Sequence, residues 1–250
     1  MGPFPPGIEI RTLSTNAEFT EAVRLQQQVW GFTDVELLPV HLFVVATGIG
    51  GQAFGAFEGE RMIGFCVAFP GLKPEGKPYL HSDMLGVLSE CRDRGIGRLL
   101  KLRQREDALA RSLDLVEWTF DPLEIKNGYF NMERLGAIVR RFVLNRYGTT
   151  GSHLHGGLPT DRCVAEWWIS SPRVVSILAG RSLARPAVQA RIRVPAIIDR
   201  LRREDPGQAR EIQKSVSEQF VKCCGQGLAV IGFERSEEAG TYLLGKWESD

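Results

Sequence analysis

The chain has 250 residues, of which 43% are hydrophobic and 24% are charged. This length and composition are typical of a globular protein with one large domain, or a domain with an extension. Lysine and arginine total 31 against 30 acidic residues, so the formal net charge is only +1. A balanced charge gives no overall attraction to nucleic acid or to an anionic membrane, and we expect neither partner.

Targeting and metal signals are weak. The opening MGPFPPGIEI has no basic segment followed by an apolar one, which a secretory signal requires. The longest apolar run, near residues 42–51, is too short and too rich in glycine for a membrane span. The cysteines are odd in number and lack the spacing of a zinc site: Cys66, Cys91, Cys163, Cys223 and Cys224. We expect a cytoplasmic protein with reduced thiols and no metal.

The first two thirds of the chain alternate between strand and helix patterns. Runs of strand length fall at residues 8–15, 52–71 (two strands joined at a Gly59 turn), 77–88, 113–122, 137–145 and 162–170. Three segments have helical spacing of apolar residues. The first follows a capping residue, Thr15 or Asn16, the second begins at Gly95, and the third is a short helix over 130–135.

After residue 171 the composition becomes richer in arginine and poorer in apolar residues. A strand in RIRVPA, a helix over 205–224 and two strands, LAVIGFE and TYLLGKW, predict a compact βαββ extension. We therefore predict two domains, 1–171 and 172–250, with the second packing on the first. A homodimer is compatible with the sequence.

A glycine-containing turn separates strand 77–88 from the helix. It reads Arg92, Asp93, Arg94, Gly95, Ile96 and Gly97, and Arg98 and Lys101 follow it. The first turn of a helix has free backbone NH groups and a positive dipole end, so it favours an anion such as a phosphate. The turn matches neither the Walker loop nor the GxGxxG of dinucleotide folds. A solvated basic helix start is the alternative interpretation.

The pattern RxxGxG, after a strand and before a long amphipathic helix, resembles the acyl-CoA pyrophosphate loop of the GNAT acyltransferase superfamily. The order of elements from residue 8 to about 170 is similar as well. The string WTFDPLEIKNGYFNMERLGAIVRRFVLNRYG resembles a subgroup of large predicted acetyltransferases, some of them linked to N-acylamino acid racemase pathways. The resemblance implies an α/β (α+β) fold with a mixed, mostly antiparallel twisted sheet flanked by helices and a C-terminal βαββ extension.

The resemblance also implies a co-substrate, acetyl-CoA or another acyl-CoA such as succinyl-CoA. Backbone groups of the strand before the loop are expected to pair with the pantetheine amides, as an added strand would. Arg94, Arg98 and Lys101 are expected to supply charge for the nucleotide end. The cofactor residues implied are Met84, Leu85, Gly86, Val87, Arg92, Asp93, Arg94, Gly95, Ile96, Gly97, Arg98 and Asn127.

Acyl transfer to an amine needs a base for the nucleophile and a proton source for the thiolate. GNAT enzymes commonly place a tyrosine acid where this chain has Met132, so Tyr129 and Tyr147 are the alternatives. His81 and Asp83, two apart on a strand and expected to face one side, are candidate bases.

Two carboxylates, Glu117 and Glu166, lie in apolar runs, where such groups are paired or functional. Pairing is favoured for both, and Glu166 is kept as a catalytic candidate. His153 and His155 lack a third metal ligand at a diagnostic spacing, which favours a loop lining the acceptor pocket.

The sequence thus predicts an acyl-CoA-dependent N-acyltransferase that acts on a primary amine of a small molecule, such as an amino acid, by direct attack on the thioester. The alternative is a GNAT-like CoA-binding or interaction module without catalysis, which the methionine at position 132 motivates.

Overall fold

The computed structural model describes residues 7–148, 157–181 and 185–247. His153 and His155 lie outside the described residues. Contacts divide the chain into two compact units, Met1–Glu117 and Trp118–Asp250. The domain boundary expected at residue 171 falls inside the second unit and stays a prediction.

The described residues form ten strands and seven α-helices. In chain order they are β1 (Ile8–Thr12), α1 (Asn16–Trp30), α2 (Val40–Gly48), β2 (Gln52–Glu58), β3 (Arg61–Leu72), β4 (Pro78–Val87), α3 (Ile96–Ala110), β5 (Leu115–Phe120), α4 (Ile125–Tyr129), β6 (Ile138–Val143), β7 (Arg162–Trp168), α5 (Pro172–Leu178), β8 (Ala190–Pro195), α6 (Ile198–Glu204), α7 (Pro206–Gly225), β9 (Leu228–Arg235) and β10 (Ala239–Lys246). A π-helical turn, Phe130–Leu135, continues α4.

The first unit contains strands β1-β2-β3-β4 in that order and the start of β5 beside β4, antiparallel except for the parallel pair β4/β5. Local sequence determines where its elements begin and turn. Thr15 and Glu18 form the capping box of α1, and Gly59 makes the β2–β3 turn at a φ of 59°. Buried side chains of the helices, including Phe19, Phe43 and Ile96, pack with those of the sheet in one hydrophobic core.

The second unit has the strand order β7-β6-β9-β10-β8, with antiparallel pairs throughout. Strand β9 joins β6 through the register pair of Val139 and Val230. Phe220 of α7 stacks on Phe142 of β6 with ring centroids 4.9 Å apart, and Tyr242 packs edge-on against Phe220. The C-terminal strands therefore share a core with β6.

The expected fold class, a mixed and mostly antiparallel sheet flanked by helices, is confirmed. The extension differs in detail, because two helices, α6 and α7, stand where one was predicted. Helices α2 and α5 were not predicted either. The sequence of α2, VHLFVVATG, is almost uniformly apolar and shows no helical period.

Among the described helices, none alone has the length and apolarity of a membrane span, although the bent pair Asn16–Trp30 and Asp34–Gly48 passes that test jointly. The described residues also contain no group of three or more histidine, cysteine or acidic side chains placed to hold a metal ion.

Candidate functional site

Strand β4 has one paired edge and one edge that is open over half its length. Its register with β3 runs from Pro78 to Val87, whereas its parallel register with β5 contains only two pairs. The last of these joins His81 to Glu117. We call this last pair, where β4 and β5 separate, the fork. Beyond the fork, residues 84–87 have no strand partner on the β5 side in the described part of the chain. Their outward backbone groups are available to an added strand or ligand.

A β-bulge lies at the start of the open edge. The register shifts between Val67 and Ala68, which pair with Met84 and Ser82, so Asp83 is the extra residue. A bulge bends the strand and interrupts its alternation. A spacing of two residues therefore no longer places His81 and Asp83 on the same face of the sheet. The structure leaves Asp83 exposed and His81 partly buried.

The loop after β4 leads into α3 without a side-chain cap. Asp93 and Gly95 have positive φ values of 62° and 79°, and Gly95 is the N-cap residue. The carbonyl of Gly95 accepts hydrogen bonds from the backbone NH groups of Arg98 and Leu99, at 3.0 and 3.1 Å. The NH groups before them have no place in the helical ladder, so the helix start presents donors to an anion.

The two glycines of the loop serve different purposes. A Cβ on Gly95 would meet no atom within 4 Å, so glycine is favoured there by the left-handed φ, and the space in front of it is open. A Cβ on Gly97 would lie 3.5 Å from Cδ2 of Leu85, an ordinary contact. That short separation places the loop directly beside the open edge of β4.

The arginines of the loop make exposed contacts. Arg94 pairs with Glu58 at 2.6 Å, and this hydrogen bond lowers the pKa of the Glu58 carboxyl. Arg92 donates through Nε to the carbonyl of Val87 at 3.3 Å. Exposed ion pairs of this kind contribute little to stability, so a diphosphate can replace Glu58 as the partner of Arg94 at small cost.

Lys101 does not supply charge to the loop, and the expectation for it was wrong. Its side chain is only 3% exposed and donates to Oγ of Ser82 at 2.8 Å. Position 101 lies on the inner face of α3 with Leu100 and Gln104, which are also buried. Because Lys101 lies on this buried face of α3, its side chain points into the core and away from the helix start.

The fork between β4 and β5 gathers four side chains of the first unit that carry ionisable groups. His81 and Glu117 are register partners, so their side chains share a face of the sheet. Lys73, from the β3–β4 hairpin, places Nζ 2.5 Å from Oε1 of Glu117, which is 3% exposed. The same Nζ lies 4.5 Å from the ring centroid of Tyr79. The pairing expected for Glu117 is confirmed.

Sequence reasoning missed Lys73 and Tyr79. The hairpin sequence GLKPEGKPY contains two lysines, and no local pattern distinguishes the one that reaches the fork. Tyr79 lies two residues before His81 on β4, which was the available signal that they share a face.

The remaining catalytic candidates belong to the second unit. Tyr129 ends α4, and Cζ of Arg235 lies 5.3 Å from its ring centroid. Tyr147 is 49% exposed, and its hydroxyl lies 2.8 Å from Oγ1 of Thr119. Met132, at the position where the GNAT resemblance implies a tyrosine, is fully buried in the π-helical turn.

Glu166 is engaged in ion pairs. It is 3% exposed, and Arg140 donates to its Oε2 through Nε and Nη2 at 2.9 and 2.5 Å. Arg141 lies 3.5 Å from its other oxygen. The structural pairing that was favoured for Glu166 is confirmed. Asn127 is exposed on α4.

The sequence matches no family model, and no curated protein matches it. Solved structures do match. A GNAT-family protein from Desulfovibrio desulfuricans is 15% identical and matches 65% of this chain and 99% of its own, with a TM-score of 0.51. The ribosomal-protein alanine N-acetyltransferase of Escherichia coli is 16% identical over 66% of this chain and 95% of its own, also at 0.51.

Arabidopsis thaliana NAA60, solved with a bisubstrate analogue, is 13% identical over 64% of this chain and 97% of its own, with a TM-score of 0.51. At these identities the likeness concerns architecture. Together with the open β4 edge and the uncapped α3 loop, it shows that this chain has the fold of the GNAT-family acetyltransferases.

Proposed function

We propose that this protein is an acyl-CoA-dependent N-acyltransferase whose acceptor is a primary amine of a small molecule. One observation carries the proposal: the open edge of β4 runs directly into a glycine loop at an uncapped helix start. The edge suits the two amides of a pantetheine arm, and the loop suits a diphosphate. Acyl-CoA contains both groups joined in that order.

The length of the open edge supports a position for the reactive end of the acyl-CoA. Residues 82–87 span about 17 Å at ~3.3 Å per residue. An extended pantetheine arm that starts at the loop follows this edge back towards His81. Strand β5 closes the edge there, at the register pair of His81 and Glu117. We therefore propose that the thioester lies at the fork.

The fork offers groups suited to proton removal. The amine nucleophile attacks the thioester carbonyl, the new C–N bond forms, and the C–S bond breaks to release the CoA thiolate. His81 and Asp83 are the proposed bases, because both lie where β4 leaves β5. Tyr129 and Tyr147 are the proposed proton sources for the thiolate. The proposed donors are acetyl-CoA and succinyl-CoA.

Two relatives in fold support an amine acceptor by their names alone. One is a ribosomal-protein alanine N-acetyltransferase, and another was solved as Naa50 with the bisubstrate analogue CoA-Ac-MVNAL at a TM-score of 0.50. For this chain we favour a free amino acid or similar small amine as acceptor. The five free cysteines agree with the proposed reducing, cytoplasmic setting.

Release of free CoA thiol tests the proposal. Purified protein is incubated with acetyl-CoA or succinyl-CoA and a panel of amino acids and small primary amines. We expect amine-dependent thiol release that His81→Gln or Asp83→Asn lowers by roughly 100-fold, the usual contribution of a general base. CoA binding without turnover of any amine would instead favour the non-catalytic binding module that buried Met132 motivates.

A further inference from the structure

We propose that Lys73 is itself an acyl acceptor, so that the protein acylates its own β3–β4 hairpin at this one lysine. The inference rests on the proposed function, because it needs the thioester at the fork. It adds a modification site and an activity that the reaction with a free amine does not require.

The first argument is position. The ammonium group of Lys73 reaches the fork, where it lies 2.5 Å from Oε1 of Glu117. Glu117 is in register with His81 at the last pair before β4 and β5 separate. The amine is thus held at the end of the edge along which the pantetheine arm is proposed to lie.

The second argument is orientation. The ring of Tyr79 lies under the Lys73 ammonium at 4.5 Å, and a Cβ on Gly71 would meet that ring at 2.5 Å. Gly71 is the register partner of Tyr79, so its missing side chain lets the ring lie across β3. The lysine is therefore supported by an aromatic face and a carboxylate, and its side chain is only 18% exposed.

The third argument is chemical. Lys73 is a primary amine beside a carboxylate that can take its proton, which is the arrangement an external amine acceptor needs. In the proposed step, Glu117 takes one proton from the Lys73 ammonium, and the neutral Nζ attacks the thioester carbon. The C–N bond forms, the C–S bond breaks, and the second amine proton ends on the thiolate. The products are acyl-lysine, free CoA and one released proton.

The same hairpin supplies a matched control. Lys77 is exposed, and its carbonyl accepts a hydrogen bond from the backbone NH of Lys73 at 2.9 Å. The two lysines therefore share a turn and a local sequence, but Lys77 is the more exposed of the two, and only Lys73 reaches Glu117. Direct chemical acylation by acyl-CoA in solution does not favour Lys73 over Lys77, whereas delivery from the bound cofactor does.

Peptide mass spectrometry after incubation with acetyl-CoA tests the inference, on the full chain and without added amine. We expect Lys73 to be acetylated roughly tenfold or more faster than Lys77, at a rate per molecule that does not change with protein concentration. Lys77→Arg should leave this rate unchanged. Glu117→Gln should lower it, and Gly95→Glu, which blocks the loop, should reduce labelling of Lys73 to that of Lys77.

Calorimetry on the same samples separates the two possible failures. If acetyl-CoA binds and Lys73 is labelled no faster than Lys77, this inference is overturned and the proposed function stands. If acetyl-CoA does not bind, both are overturned. Equal labelling of Lys73 in the wild type and in Gly95→Glu would also overturn the inference, because the acyl group would then come from solution.

Discussion

At the scale of single residues, Lys101 is a lysine that the fold removes almost entirely from water, with 3% of it exposed. Its ammonium is buried against Ser82, and burial lowers the pKa of Lys101 to about 7. Burial also raises the pKa of the neighbouring Cys66 thiol to about 12. Both shifts have the same cause, since desolvation disfavours the charged form of either group.

Lys101 therefore makes stability depend on pH. Between pH 7 and 10.5 the unfolded chain binds more protons at Lys101 than the folded chain does, so the free energy of unfolding rises with pH. Below pH 7 Lys101 is protonated in the folded and the unfolded chain alike, so its destabilisation of the fold is at its maximum and no longer changes with pH. From pH 7 to 8, below the pH at which thiols of the unfolded chain ionise, we expect a gain of roughly 1 kcal/mol in the free energy of unfolding. Urea unfolding at several pH values should show this slope in the wild type and not in Lys101→Met. Parallel curves for the two proteins would contradict the account.

Alanine substitutions at the two loop glycines, Gly95 and Gly97, should change the free energy of unfolding in opposite directions. Gly95→Ala places a side chain at a φ of 79° and should lower the free energy of unfolding by about 1 kcal/mol. Gly97→Ala lies at the second position of α3 with an ordinary 3.5 Å contact, so it should raise stability by a few tenths of a kcal/mol. Thermal or urea unfolding distinguishes the two, and equal effects would argue against the loop geometry.

At the scale of elements, the C-terminal helix α6 stabilises the corner between β5 and α4. Arg202 is 7% exposed and bridges Asp121 and Glu124, with both contacts at 2.6 Å. Burial raises the pKa of Glu124, and the Asp121 charge adds to the effect. The hydroxyl of Tyr242, on β10, donates to the carbonyl of Pro122 at 2.8 Å. The extension thus sets the conformation of the segment that leads to Asn127.

Removal of Arg202 should be costly. Arg202→Met removes the hydrogen-bonded cation from two largely buried carboxylates and leaves Asp121 with the more distant Arg162, at 3.7 Å. We expect a loss of about 3 kcal/mol in the free energy of unfolding. Arg200→Met on the same helix is the control. Arg200 pairs with Glu204 at 3.5 Å with both side chains more than half exposed, so its loss should cost less than about 0.5 kcal/mol. Similar losses of unfolding free energy in the two variants would show that the buried ion pairs of Arg202 stabilise the fold no more than the exposed pair of Arg200.

Periodicity predicted most elements of the fold, and its failures have physical reasons. The long amphipathic helix α3 and the β2–β3 hairpin were found because their apolar spacing and turn glycine are local properties. Helix α2 was missed because an apolar run has no period. The bulge at Asp83 leaves no mark in the sequence, although it begins the open edge. Lys101 was assigned to the anion loop because sequence alone did not show which helical face was buried.

At the scale of the whole molecule, residues 172–250 are joined by hydrogen bonds to the segment that precedes β6. Arg173 donates to the carbonyls of Gly136 and Ile231, at 3.1 and 2.9 Å. Glu133 accepts from the backbone NH of Phe233 at 2.7 Å. These bonds, with the β6–β9 pairing, tie the extension to residues 118–171.

Truncation tests that conclusion and the predicted boundary together. A chain that ends at residue 171 loses β9, α7 and Phe220, which stacks on Phe142. We expect it to expose this core and to be insoluble, or to lose the second unit's cooperative unfolding by circular dichroism. A soluble truncated protein with a sharp thermal transition equal to that of the full chain would mean that residues 1–171 form an independent domain.

The central claim is that the β4 edge and the α3 loop bind acyl-CoA, and calorimetric titration with acetyl-CoA and succinyl-CoA tests it most directly. The variant is Gly95→Glu, and its control is Gly180→Glu, since both glycines have positive φ and open space around a Cβ. We expect the wild type and Gly180→Glu to bind equally, and Gly95→Glu to bind at least tenfold more weakly. No binding by the wild type, or equal binding by Gly95→Glu, would contradict the account.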